Sequence, residues 1–268
     1  SVLMGTVHSS DGTAIAFDRT GSGPALILVD GAFGSRTFGP NGPLAKLLAA
    51  DFTVYTYDRR GRGASGDNPA YTVDREVDDI AALLKEAGGS ANLYGISSRA
   101  ALALEAANHG LDVTKLALYE APFVVDDTRA PIPADYLDRV RTALATNRRG
   151  DAVRLFMTEA VGVPGVFVTM MRFMPAWPKL KSVAHTVVYD ATVLGDTGSG
   201  RPLPTDRWTG ATAPTLVISG GKSPQWMRNG MQALASALPN ASHYNLEGQT
   251  HIVKPKVLAP VLANFFAS

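Results

Sequence analysis

The stretch of this chain that most restricts its fold is residues 91–107, ANLYGISSRAALALEAA. A short apolar run closes on Gly95, Ser97 follows, and a segment built almost wholly of Ala and Leu begins at once. The first part has the pattern of a strand and the last that of a helix, so the backbone must turn sharply between them and expose a serine hydroxyl. The usual form of such a turn is Gly-x-Ser-x-Gly. Here it reads Gly95-Ile96-Ser97-Ser98-Arg99, with arginine where the second glycine normally stands. Ser97 is the first candidate nucleophile, and Arg99 is the departure that must be accounted for.

The same strand-to-helix rhythm runs through most of the chain. Residues 6–8 and 13–18 read as the strands of an edge hairpin around Ser9-Ser10-Asp11-Gly12. Residues 25–29 are continuously apolar, as in a strand buried on both faces, and lead into Asp30-Gly31-Ala32-Phe33. A helix is predicted over 44–50 and a strand over 52–57, which ends in the arginine-dense turn Asp58-Arg59-Arg60-Gly61-Arg62-Gly63-Ala64-Ser65-Gly66. Val77, Ile80, Leu83 and Leu84 recur at helical spacing within 73–87, and Gly88-Gly89 stops that helix. After the strand 91–94 and the helix 98–108, a strand over 115–119 ends in Glu120-Ala121-Pro122-Phe123.

From 124 to 208 the rhythm stops. Helices are predicted at 134–146 and 151–160, followed by an apolar stretch with Val166, Phe167, Met170, Met171, Phe173, Met174 and Trp177. Strand 215–218, helix 224–238, strand 242–246 and helix 255–266 then resume the alternation. The pattern implies an α/β fold with a mostly parallel central sheet flanked by helices. Residues 1–123 and 209–268 are expected to form its core domain. Residues 124–208 are expected to be a helical lid or cap inserted before the last two strands.

Charge and cysteine content narrow the chemistry. With 25 basic and 24 acidic residues, no field is set up that would favour nucleic acid or an anionic membrane surface. The longest uncharged apolar-rich run, residues 160–171, is shorter than the roughly 20 residues a membrane span needs and contains Pro164. The absence of cysteine removes disulfides, thiolate metal sites and a thiol nucleophile together. The expected partner is a hydrophobic small molecule, with no nucleic acid and no membrane. The N-terminus lacks a signal-peptide pattern, so a cytoplasmic monomer or homodimer is expected.

Taken in order, the strand ending at Asp30-Gly31, the turn from Asp58 to Ser65, the turn at Ser97 and a histidine between the last strand and last helix resemble the α/β-hydrolase family. More narrowly, they resemble its esterases, lipases and cofactor-free haloperoxidases, over nearly the whole chain. The resemblance implies that Ser97 attacks an acyl carbon and that His251 is the base, since the family places its histidine in the loop after the final strand. The family's acid most often stands where this chain has Ser223. Glu120, at the tip of the preceding strand, is the substitute the resemblance offers. The backbone N–H groups of Ala32 and Ser98 would form the oxyanion hole. The Asp58–Ser65 turn is expected to be structural, without a phosphate role.

Phe33, Arg99, Phe123, Met170 and Trp177 are expected to line the substrate pocket. The Met and Phe stripe of the insertion has a second reading as the core of the lid helices. Arg99 either reaches solvent, pairs with Glu120 or Asp30, or binds a substrate carboxylate. The implied activity is a carboxylic ester hydrolase, and neither metal nor organic cofactor is implied. The departures at Asp30, Arg99 and Ser223 leave two alternatives: a lyase, cyclase or isomerase on the same scaffold, or a small-molecule binder that no longer catalyses.

Overall fold

The computed structural model describes residues 2–29, Arg36, Gly39 and residues 41–268. Among them, eight strands form one sheet: β1 (Val2–His8), β2 (Ala14–Thr20), β3 (Ala25–Val29), β4 (Thr53–Tyr57), β5 (Ala91–Ile96), β6 (Val113–Tyr119), β7 (Thr215–Gly220) and β8 (Ala241–Leu246). Their spatial order is β1-β2-β4-β3-β5-β6-β7-β8. The β1–β2 hairpin runs antiparallel at one edge, β2 pairs antiparallel with β4, and every pairing from β4 to β8 is parallel.

The continuous apolar runs follow from burial on both faces, because successive side chains of a strand point to opposite sides. Ile27, Leu93, Leu116 and Val217 face one layer with Ile80 and Leu83 of α2 (Val73–Glu86), Leu102 and Leu104 of α3 (Ser98–Asn108), and Met231 and Leu234 of a helix spanning Gln225–Ala237. Their neighbours Leu26, Leu28, Tyr94, Ala117 and Ile218 face the other layer. There they meet Leu44 and Leu48 of α1 (Asn41–Leu48), and Leu258 and Leu262 of the closing helix Pro255–Ala267.

Between β6 and β7 the described secondary structure is helical: α4 (Tyr136–Ala145), α5 (Arg149–Leu155), α6 (Gly165–Met171), α7 (Trp177–Ser182) and α8 (Val187–Leu194). Val140, Val153, Phe156, Trp177 and Leu180 form a second small core that also takes in Val187 of α8. Val193 and Leu194 of α8 belong to the main core, so α8 joins the two.

Two features of the insertion differ from expectation. The single helix expected over 151–160 divides into α5 and a π-helical turn, Phe156–Val161. Arg129 caps the end of this turn, its guanidinium donating to the carbonyls of Glu159 and Ala160. Most of the Met and Phe stripe lies outside the core of the insertion's helices, with Met171 alone of its methionines and phenylalanines packed against that core. Val168 and Trp177 turn inward, whereas Val166, Phe167, Met170, Phe173 and Met174 are exposed, Phe173 to 87%. Among the described residues no helix is long and apolar enough to cross a membrane.

The arginine-rich turn after β4 is held by charge. Arg59 makes a two-point contact with Glu76 on α2, at 2.7 and 2.5 Å, and a 2.8 Å bond to Asp190 on α8. Arg60 grips Asp79 at 2.8 and 2.7 Å and reaches Asp11 at 2.9 Å. Arg62 donates to Asp190 at 2.8 Å. All three arginines are buried, and each finds carboxylates, as buried charges must. At Gly63, with φ of 54°, a Cβ would sit 2.3 Å from an Asp58 carboxylate oxygen, so the turn closes on glycine alone.

Burial works to raise the carboxyls of Glu76 and Asp190, but Arg59 beside both, with Arg62, holds them below their ordinary values of 4.5 and 3.8. A depressed folded value contributes stability that is present above the unfolded value and lost as pH falls through the folded one. The urea midpoint is therefore expected to fall steadily once pH drops below about 4. A midpoint that holds constant from pH 5 to pH 2.5 would contradict this account of the network.

Candidate active site

Ser97 stands between β5 and α3 with φ of 62° and ψ of −134°, a left-handed conformation for a residue with a Cβ. Holding such a conformation costs roughly 1–3 kcal/mol and persists only where neighbours over-determine it. They do so here. The Ser97 N–H donates to the Tyr119 carbonyl at 2.9 Å, and the Ala100 N–H donates to the Ser97 carbonyl at 3.0 Å. A Cβ on Gly95 would lie 2.4 Å from the Arg99 carbonyl oxygen, so the first glycine of the motif is the one the local packing requires.

Arg99 is 7% exposed, which excludes the solvent-facing alternative. Its charge is felt at the buried Tyr94 hydroxyl. That hydroxyl is pushed well above its ordinary range by burial, with Arg99 opposing the rise and Glu120 adding to it.

Glu120 has no exposed surface and sits at φ of 46°, one residue past the end of β6. Its two oxygens have separate tasks: Oε2 accepts the Gly220 N–H at 2.7 Å, and Oε1 lies 3.0 Å from Nδ1 of His251. A carboxylate only accepts, so Nδ1 carries the proton of this bond, and in the neutral ring Nε2 is the nitrogen that can accept. The His251 side chain is 28% exposed, which leaves the ring reachable from outside.

The histidine loop is fixed on several sides. The Tyr119 hydroxyl donates to the Thr250 carbonyl at 2.6 Å, the Lys222 N–H donates to the Gln249 carbonyl at 2.9 Å, and the Lys254 N–H donates to Gln249 Oε1 at 3.0 Å. Ser223, at the family's usual acid position, is buried, and its Oγ has no hydrogen-bond partner among the described residues. The structure thus brings Glu120, and not Ser223, to His251.

Three of the other four histidines are engaged elsewhere: His109 with Asp74, His185 with Asp67 and His243 with Ser219 Oγ. Ser98 opens α3, so its N–H is one of the four first-turn donors without an intrahelical acceptor. Its Oγ donates to Asp190 at 2.9 Å.

Asp30, Ala32 and Phe33 lie outside the described residues. Three other residues expected to line the pocket are placed differently. Phe123 stacks on Trp208 inside the main core, with ring centroids 5.9 Å apart. Trp177 lies in the core of the insertion, and Met170 is 60% exposed on its surface. Two residues that sequence reasoning missed are Tyr119, whose hydroxyl supports the histidine loop, and Asp190. The signal for Asp190 was faint: it is the one acidic residue in the run 160–195.

The comparisons with known proteins identify the family and the fold. A sequence profile described as the alpha/beta hydrolase family matches residues 21–259, and the chain belongs to that family. An alpha/beta hydrolase from Sphaerobacter thermophilus DSM 20745 is 52% identical, with 98% of this chain and all of that one covered and a TM-score of 0.91. A thermophilic esterase from Thermogutta terrifontis shares the fold at 21% identity and a TM-score of 0.68, over 99% of this chain and 98% of that one. The Mycobacterium tuberculosis protein named as a non-heme bromoperoxidase, BpoC, is 24% identical over 277 residues, covering 95% of this chain and 98% of that protein.

Because the Arg99 carbonyl fills the space a side chain would need, Gly95→Ala forces α3 away from β5. Overpacking of this kind costs ~1–3 kcal/mol, which for a domain of this size corresponds to a fall in Tm of roughly 3–10 °C. Scanning calorimetry measures it. A Tm within 1 °C of the parent protein would show that the turn does not need glycine there.

Proposed function

We propose that the chain is a serine hydrolase that cleaves a carboxylic ester, or a related acyl bond, of a hydrophobic small molecule through an acyl-enzyme. The observation that carries this reading is the buried Glu120 carboxylate bound to Nδ1 of His251, in the chain whose strained turn presents Ser97. Ser97 attacks the acyl carbon while His251 Nε2 takes its proton, then returns it to the leaving alcohol. A water activated by the same imidazole then releases the acid. Glu120 orients the ring and stabilises the imidazolium that forms in each step.

The Ser98 N–H, with a second donor expected from Ala32, holds the oxyanion. Every proton and electron pair is routed through these groups and the substrate. In this reading residues 124–208 act as the lid, an assignment supported by the reach of Asp190 from α8 to Ser98 beside the nucleophile.

Two variants test the proposal. Ser97→Ala is expected to lower cleavage of p-nitrophenyl butyrate by at least about 10³-fold, and to abolish labelling by a fluorophosphonate. Glu120→Gln keeps an oxygen for the Gly220 N–H but turns an amide NH2 toward Nδ1. That favours the imidazole tautomer with its proton on Nε2, and the rate is expected to fall on the order of 10²–10⁴-fold. Undiminished turnover in Ser97→Ala would remove the acyl-enzyme and favour a non-hydrolytic reaction on this scaffold.

A further inference from the structure

The arginine-rich turn and the helical insertion meet the nucleophile's turn at one carboxylate. Asp190, buried on α8, accepts from Arg59 Nη1 at 2.8 Å and from Ser98 Oγ at 2.9 Å through Oδ1, and from Arg62 Nη2 at 2.8 Å through Oδ2. Its position does not depend on Ser98. Arg59 is fixed by two bonds to Glu76, Glu76 accepts from the Tyr71 hydroxyl, and the Tyr71 ring stacks at 4.0 Å, nearly parallel, on Tyr189 beside Asp190. Ser98, the first residue of α3 and itself buried, is held at the end of this chain of contacts.

We propose that Asp190 is a positioning residue of the active site: through Ser98 Oγ it fixes the peptide between Ser97 and Ser98 and so aims the Ser98 N–H at the oxyanion. The peptide needs such an anchor. Its direction is set by ψ of Ser97, in a conformation that the backbone alone does not favour. The Tyr119 carbonyl holds the Ser97 N–H, the Ala100 N–H holds the carbonyl side of the Ser97–Ser98 peptide, and the bond to Asp190 holds Ser98 on the nitrogen side, where the donor lies.

A carboxylate gives a stronger hydrogen bond than a neutral acceptor would. Its charge is matched locally, since Asp190 and Glu76 face Arg59 and Arg62, so no net negative charge opposes the developing oxyanion. The arginines of the turn therefore act on the reaction at one remove, by fixing the carboxylate that fixes the donor.

The inference rests on the acyl-hydrolase reading, and the experiment separates the two. Asp190→Asn strands buried guanidiniums and is expected to unfold, so the informative variants are Ser98→Ala and Ser98→Thr, compared with the parent protein and Ser97→Ala. The readouts are kcat and KM for p-nitrophenyl butyrate, the rate of labelling by an alkyl fluorophosphonate, and Tm. Loss of an oxyanion donor costs ~10²–10³-fold and misaiming one costs less, so Ser98→Ala is expected to lower kcat and labelling about tenfold, with KM within about twofold. Ser98→Thr keeps the hydroxyl and is expected to recover the rate to within about threefold of the parent.

A merely structural role would move Tm and leave kcat of the folded enzyme intact. If Ser98→Ala labels as fast as the parent, or Ser98→Thr is as slow as Ser98→Ala, the positioning role is overturned while the acyl-enzyme stands. If the parent protein itself is not labelled, the acyl-hydrolase reading falls and this inference falls with it.

Discussion

The left-handed backbone at Ser97 is the constraint on which the rest of the site depends. A β5 ending in regular extended conformation would bury the serine hydroxyl in the sheet, whereas φ of 62° lifts it clear and starts α3 within one residue. The chain can bring helix and strand that close because the packed residues there are small. Gly95 accepts the Arg99 carbonyl, and α3 meets the sheet through Ala100, Ala101, Ala103, Ala106 and Ala107, all buried. The composition of residues 91–107 is therefore a consequence of the turn. Larger side chains on that face would hold the helix off and remove the backbone carbonyls and amides that keep Ser97 in its strained state.

Parallel pairing gathers the other groups at the same edge. Ile96 is in register with Tyr119, Tyr119 with Ile218, and Gly220 with Leu246, so the residues just past β5, β6, β7 and β8 emerge side by side. Open parallel sheets bind ligands at this carboxyl edge. The register also shows why an acid can stand on β6 when Ser223 occupies the place after β7. Neighbouring strands lie only ~4.8 Å apart, and glutamate carries one methylene more than aspartate. Glu120 uses that reach to accept the N–H of Gly220 on the adjacent strand while facing His251. A Cβ on Gly220 would lie 2.4 Å from the Gln249 carbonyl, so a glycine at the end of β7 lets the histidine loop come down onto this edge.

What was legible in the sequence was what is local or periodic. The run 25–29 reads as a strand because burial on both faces leaves no polar position in it, and β3 has those bounds. The order of Gly95, Ser97, Glu120 and His251 along the chain pointed to Glu120 and His251 as neighbours, and the two are in contact. Contacts that depend on two distant segments meeting left little trace. Ser98 and Asp190 are 92 residues apart, and Arg59 and Asp190 are 131 apart, so neither pair forms a motif. Phe123 and Met170 were assigned to the pocket by hydrophobicity alone. Hydrophobicity does not say whether a side chain stacks on Trp208, as Phe123 does, or stands on the outer surface of a short helix, as Met170 does.

The buried charges also limit how the insertion can move. α8 is tied to the sheet domain by the contacts of Asp190 with Arg59 and Arg62, and by Val193 and Leu194 in the main core. Pulling it away would expose an apolar surface and leave buried charges without partners, and breaking a buried pair costs about 3–5 kcal/mol. The segment from α4 to α7 packs around Val140, Val153 and Trp177, in a cluster that Ala184 and Val187 carry on to α8. α8 is thus the element that joins this cluster to the main core, so moving α4 to α7 strips apolar surface from α8 while the charges around Asp190 stay paired. The part of the insertion that touches Ser98 is therefore the part held most firmly, by buried charge as well as by apolar packing on both sides.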